Sequence, residues 1–199
     1  MTKESFGFLL SLAHSHRFVL IGGWAAYLHT RTQKSRDVDI VVDFNGLLRL
    51  QAEFPVQKNE RLRKYEIKKG DFDVDVYAPN FSRLSYPLPE LLLHHDEKDG
   101  IAVATVPQLL LLKIGAYIDR KGSIKGMKDE VDIISLLYYS KPDKNEFLRE
   151  AGKTKMASPE ELVAKMVAGF SQAQLPYIGA EYVAFKKWRK KFLSDWSLK

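Results

Sequence analysis

The chain is 199 residues long, 45% hydrophobic and 28% charged, an ordinary composition for one folded domain with at most a modest appendage. It has no cysteine, which excludes disulfides, thiolate metal sites and thiol catalysis, and no apolar run near the roughly 20 residues that span a bilayer. The formal charge of +6 favours polyanionic partners such as nucleotides or RNA, and the short, interrupted apolar stretch at the N-terminus is unlike a secretory leader, so the expected location is cytoplasmic.

Phe6, Leu9, Leu10 and Ala13 recur at helical spacing, so Lys3 to His14 is predicted to form an amphipathic helix. The apolar run Phe18-Val19-Leu20-Ile21 reads as a buried strand stopped by Gly22-Gly23, with a helix from Gly23 to Thr30 carrying Trp24, Tyr27 and Leu28 inward. After a polar loop from Arg31 to Arg36, a strand from Asp37 to Asp43 sets Asp37 and Asp39 on one face and Val38 and Ile40 on the other. Phe44-Asn45-Gly46 is expected to break that strand, ahead of a helix through Leu47, Leu48, Leu50 and Phe54 that Pro55 ends. Tyr65 and Ile67, a turn at Lys69-Gly70 and the stretch Phe72 to Tyr77 give an antiparallel hairpin. Pro79, Pro87 and Pro89 mark an irregular crossing before a strand from Ile101 to Thr105.

From Pro107 the pattern is helical. An apolar helix covers Leu109 to Ile118, a flexible basic loop follows at Gly122 to Gly126, and a helix runs from Lys128 to Tyr138. Ser158 with Glu161 three residues later is a capping-box signature, and a last helix spans Ile178 to Trp196. The expected class is α+β: a mixed sheet flanked by helices in residues 1–106, with an all-helical C-terminal region in residues 107–199 packed on it.

Two carboxylates on one face of a strand, Asp37 and Asp39, form an oxygen set suited to Mg²⁺, which takes few protein carboxylates and completes its shell with water and phosphate oxygens. A third carboxylate on a neighbouring strand would complete a two-ion site, and Asp75 supplies it, with Asp73 as the competing residue. Gly22 and Gly23 at a helix N-terminus would offer backbone N–H groups to a triphosphate with no Cβ in the way.

Gly22-Gly23, then Asp37-Val38-Asp39 in an apolar strand, then Val74-Asp75-Val76 resemble the signature of the DNA polymerase β-type nucleotidyltransferase superfamily, and within it the small prokaryotic minimal nucleotidyltransferases and AbiEii-like toxins. The resemblance covers residues 17 to 138. It implies that Gly22 and Gly23 contact nucleotide phosphates, that Asp37 and Asp39 hold the Mg²⁺ ions, and that Asp75 is a metal ligand or the base that deprotonates the acceptor. Ser35 matches the small hydroxyl residue placed before the first aspartate, while Gln33 stands where a basic residue is usual, with Arg31, Lys34 or Arg36 as its substitutes at the phosphates. Lys113, on an apolar helix, needs either a phosphate or a carboxylate partner, and Lys128, Asp129 and Asp132 in the Lys-Asp-x-x-Asp-Ile run are read as structural ion pairs.

The implied activity is Mg²⁺-dependent transfer of a nucleoside monophosphate from an NTP to a hydroxyl on RNA such as a tRNA end, on protein or on a small molecule, releasing pyrophosphate. The alternative is an inactive nucleotide-binding or partner-binding module of the same fold, and a toxin role would add an antitoxin partner. His14, His16, His94 and His95 are read as surface or core residues rather than metal ligands, and the stripe Phe185, Trp188, Phe192 and Trp196 as the inward face of a basic helix.

Overall fold

The computed structural model describes residues 2–196. A helix α1 (Thr2–Ser15) precedes β1 (Val19–Ile21), α2 (Gly22–Thr30), β2 (Val38–Val41) and α3 (Phe44–Glu53). Strands β3 (Gln57–Asn59), β4 (Lys64–Lys68) and β5 (Asp73–Tyr77) follow, then a short helix α4 (Leu88–Leu93) and the hairpin β6 (Asp96–Lys98) and β7 (Ile101–Val103). The rest is helical: α5 (Val106–Arg120), α6 (Ile124–Ser135) running into a π-turn at Leu136–Ser140, α7 (Lys144–Ala151), α8 (Pro159–Gly169), α9 (Leu175–Ile178) and α10 (Tyr182–Trp196). The strands form one seven-stranded sheet in the order β3-β4-β5-β2-β1-β7-β6, so the α+β class with a mixed sheet and a helical second half is the observed one.

Pairing is antiparallel except at β1–β7 and β2–β5. Directly paired residues share a face, so Leu20 aligns with Ile40, Ile40 with Val76, and Val38 with Val74 and then Ile67, all buried. The opposite face carries the row Ile21, Asp39, Asp75 and Glu66, one residue from each of four adjacent strands. A one-residue slip would bury these carboxylates in the apolar layer, and the alternation of valine with aspartate fixes the register against it.

Several expectations are corrected. β3 and β6 escape a pattern reading because Gln57-Lys58-Asn59 and Asp96-Glu97-Lys98 are charged edge strands with no apolar alternation. Phe44-Asn45-Gly46 does follow the end of the strand, and it already forms the first turn of α3, because the Asp43 carboxylate caps the helix by accepting from the Gly46 N–H at 2.6 Å. The Gly122 to Gly126 segment is not a loop throughout: Ser123 caps α6 through the Gly126 N–H at 3.1 Å, and a Cβ on Gly126 would lie 2.3 Å from the Arg120 carbonyl oxygen. Ser158 does not form a capping box, since its backbone is left-handed (φ 45°) and its side chain makes no cap bond. Gln108 does close back on the N-terminus of α5, its Oε1 accepting from the Thr105 N–H at 2.9 Å. The last helix starts at Tyr182 rather than Ile178, because Ile178 ends the short α9 and Gly179, with φ +65°, turns the chain out of it.

In α10, Phe185, Phe192 and Trp196 are buried, and Trp188 packs edge-on against Tyr138, so the aromatic stripe is core and the lysines between face solvent. No helix among the described residues is long and apolar enough to cross a membrane.

Candidate functional site

β1 ends at Ile21 and the chain turns at once into α2 through Gly22, whose φ of +71° is a conformation L-residues rarely adopt. A Cβ on Gly22 would sit 2.1 Å from Asp39 Oδ2, and one on Gly23 would sit 2.5 Å from Ser35 Oγ. The glycine pair is therefore required by the protein's own side chains: it lets Asp39 press against the turn from β2 and lets buried Ser35 press against the first turn of α2. Gly22→Ala is expected to destabilise the fold by about 2–3 kcal/mol, from the left-handed backbone and the overlap together, and to displace the Asp39 carboxylate. Urea denaturation checks the first part, and a wild-type midpoint would refute it.

Asp39 and Asp75 are in direct register, and Asp37 and Asp73 occupy the next pair of positions along the same face, where the Asp73 N–H donates to Asp37 Oδ1 at 3.2 Å. The two β5 carboxylates are each held by a lysine of β4. Lys68 reaches Asp73 at 2.8 Å, and Lys64 donates to Asp75 Oδ2 at 2.6 Å while also contacting Glu66 at 3.1 Å. Asp75 Oδ1 is buried with no hydrogen-bond partner. It is thus Asp75 that stands beside Asp39, while Asp73 lies a step further out and is more exposed.

Asp39 has no ion-pair partner among the described residues. Burial of its carboxyl, and next the negative charge of Asp75, push its pKa up to about 7, against the moderating pull of Lys113 and Lys64. Burial likewise raises Asp75, with the Lys64 ammonium opposing it. A divalent cation would relieve the mutual repulsion of Asp37, Asp39 and Asp75, and Asp37 with Asp39 fit one Mg²⁺ by donor chemistry: hard carboxylate oxygens, few in number, with room for water and phosphate oxygens. Among the described residues no group of three or more histidine, aspartate or glutamate side chains is gathered into a metal cage.

The remaining expected residues are distributed as follows. Ser35 lies on Gly23, inside the turn. Arg36 is exposed, and its Nε donates to the Asp71 carbonyl at 2.7 Å while lying 3.8 Å from Asp37 Oδ1. Gln33, in place of a base, donates to the Tyr177 carbonyl at 2.8 Å and so ties the α2–β2 loop to α9. Lys113 takes a carboxylate rather than a free position: its buried Nζ is 2.6 Å from Asp132 Oδ2 and 3.5 Å from Asp129 Oδ1, with Arg120 closing on Asp129 Oδ2 at 2.7 Å. The ion-pair reading of Asp129 and Asp132 agrees with this geometry.

Lys128 does not share it. It is exposed, has no ion-pair partner among the described residues, and carries its Nζ to 3.7 Å from where a Gly23 Cβ would be. Lys128 thus brings an ammonium from α6 to the glycine turn. Spacing along the chain gives no sign of this, because only the packing of α6 against α2 brings the two together. Of the histidines, His14 bonds the Leu10 carbonyl at 2.7 Å and His16 lies 3.3 Å from Glu53.

No family model and no curated protein matches the sequence. Two solved structures are similar to it along most of its length. An antigenic nucleotidyltransferase-like protein from Paracoccidioides brasiliensis is 16% identical with a TM-score of 0.43, covering 93% of this chain and 91% of its own. JHP933 from Helicobacter pylori is 14% identical with a TM-score of 0.46, covering 97% and 94%. Both are likenesses of chain path at low identity, and neither assigns a role to a residue here.

Proposed function

We propose that the protein is a Mg²⁺-dependent nucleotidyltransferase that moves a nucleoside monophosphate from an NTP to an acceptor hydroxyl and releases pyrophosphate. The observation that carries this reading is the registered pair Asp39 and Asp75 directly beside a glycine turn that presents the N-terminus of α2 and the Lys128 ammonium. Backbone N–H groups at that turn, the helix dipole and Lys128 attract a triphosphate, while the adjoining carboxylates would repel it unless a divalent cation lay between. Asp37 and Asp39 would hold a Mg²⁺ ion, which would supply that neutralisation at the phosphates.

Asp75 suits the acceptor side. Its partnerless Oδ1 takes the hydroxyl proton as the acceptor oxygen bonds to the α-phosphorus, and the bond from that phosphorus to the bridging oxygen breaks, the electron pair leaving with pyrophosphate. Burial that raises the Asp75 pKa makes it a stronger base than a solvated carboxylate.

The test is label transfer: wild type and an Asp37→Ala/Asp39→Ala variant are incubated with Mg²⁺ and each α-labelled NTP, with total RNA or cellular protein as acceptor. Label is expected on one acceptor class with wild type alone. No transfer and no NTP binding by wild type would sink the proposal, and equal NTP binding by both without transfer would leave the fold as a binding module.

Lys128→Ala is expected to raise the KM for the NTP roughly tenfold, the loss of one charge-assisted phosphate contact, without lowering the melting temperature, since no ion pair is broken. Thermal melts beside saturation curves check this, and an unchanged KM would remove Lys128 from the site.

A further inference from the structure

We infer that Lys64 stands where a second metal ion would act, so that the site takes one divalent cation, on Asp37 and Asp39, and Asp75 works as a lysine-held base. The inference rests on the nucleotidyltransferase reading and narrows it. Of the three carboxylates assigned to the site, Asp75 is the one in ion-pair contact with a lysine, at 2.6 Å; among the described residues Asp39 has no ion-pair contact, and that of Asp37 is with Arg36, at 3.8 Å.

The lysine is built in. Lys64 and Glu66 lie two apart on β4 and so share a face, Glu66 is registered opposite Asp75, and Lys64 bridges the two carboxylates with its side chain only 13% exposed. Asn59 holds Glu66 from β3 through a 3.1 Å bond, which fixes the far end of the bridge. A divalent ion sharing Asp75 with Asp39 would have to meet this ammonium at close range or expel it from two partners.

Chemically the substitution is consistent. An ammonium on Oδ2 neutralises Asp75 without occupying Oδ1, and Oδ1 is the oxygen left without a partner. A second metal ion would lower the pKa of the acceptor hydroxyl; Lys64 instead holds Asp75 in place to receive its proton. Lys64 is therefore a positioning residue, acting through Asp75 rather than on the substrate.

Counting bound Mn²⁺ by electron paramagnetic resonance, on the full chain at pH 8 without nucleotide, tests this independently of activity. Wild type is expected to bind one Mn²⁺ per chain, lost in Asp37→Asn/Asp39→Asn. Lys64→Met is expected to bind two, and to return to one when Asp75→Asn is added, while Lys64→Arg keeps one. Two ions on wild type, or one on a folded Lys64→Met, would overturn the inference and leave the proposed activity standing. If Lys64→Met does not fold, the wild-type and Lys64→Arg counts decide the matter. No Mn²⁺ on wild type would overturn the metal-dependent reading itself, and the inference with it.

Discussion

An Asp39→Asn variant is expected to lose nucleotidyl transfer by about a thousandfold or more and yet to melt at a higher temperature than wild type at pH 8 in metal-free buffer. The two effects have one cause. Asp39 is pressed under the Gly22 turn, registered against Asp75, and has no ion-pair partner among the described residues. Its folded pKa of about 7 lies above the unfolded value of 3.8, so folding takes up a proton in the interval between. Stability on this account is full below the unfolded pKa, falls as pH rises through the interval, and stays low above about 7.

The amide keeps the size of the carboxylate without its charge, so it removes a penalty of about 2–4 kcal/mol at pH 8, equivalent to roughly 5–10 °C in a chain of this size. The advantage should shrink steadily towards pH 5. Saturating Mg²⁺ should raise the wild-type melting temperature at pH 8 and leave that of Asp39→Asn unchanged, because a ligand stabilises only the form that binds it. Equal melting temperatures at pH 8 would mean that Asp39 is solvated, and with that the argument for a cation at this position would fall.

The sequence carried the site to different depths at different positions. The β1–turn–α2 unit and the β2 and β5 strands were legible because each is a local pattern: an apolar run stopped by glycines, or valine alternating with aspartate. Whether Asp73 or Asp75 adjoins Asp39 was not legible, because both lie on one face of the same strand and only the β2–β5 register separates them. Lys64 was hidden for the same reason, since its claim on Asp75 comes from pairing between β4 and β5.

Lys113 shows an intermediate case. A lysine among leucines announces that it needs a partner, but only the packing of α5 against α6 identifies Asp132 and Asp129. Lys128 belongs to the same motif as those aspartates and yet serves a different neighbour, because it sits on the exposed side of α6 while they sit on the buried side. The helix phase made that split available in principle; what the exposed side faces was not. The edge strands β3 and β6 were lost because the charges that protect an edge from further pairing also erase the pattern by which a strand is recognised.

Lys113→Met carries the largest expected loss of stability, about 3–5 kcal/mol or roughly 10 °C, because it leaves Asp132 buried without a cation and Asp129 with Arg120 alone. Burial lowers the Lys113 pKa and its two aspartates raise it, with a net rise. Its contribution is therefore complete below the unfolded pKa near 10.5 and lost only as pH climbs through the higher folded value, so the loss in the variant should be constant across neutral pH. Adding Asp132→Leu should recover most of the stability, since the uncompensated charge goes with its partner. It should not recover activity at neutral pH: Lys113 also lowers the pKa of Asp39, so both variants should shift the acid limb of the pH–rate profile upward. Stability restored together with a wild-type pH profile would confine Lys113 to holding α5 on α6; stability restored with the limb still displaced would tie the buried ion pair to the charge of the site.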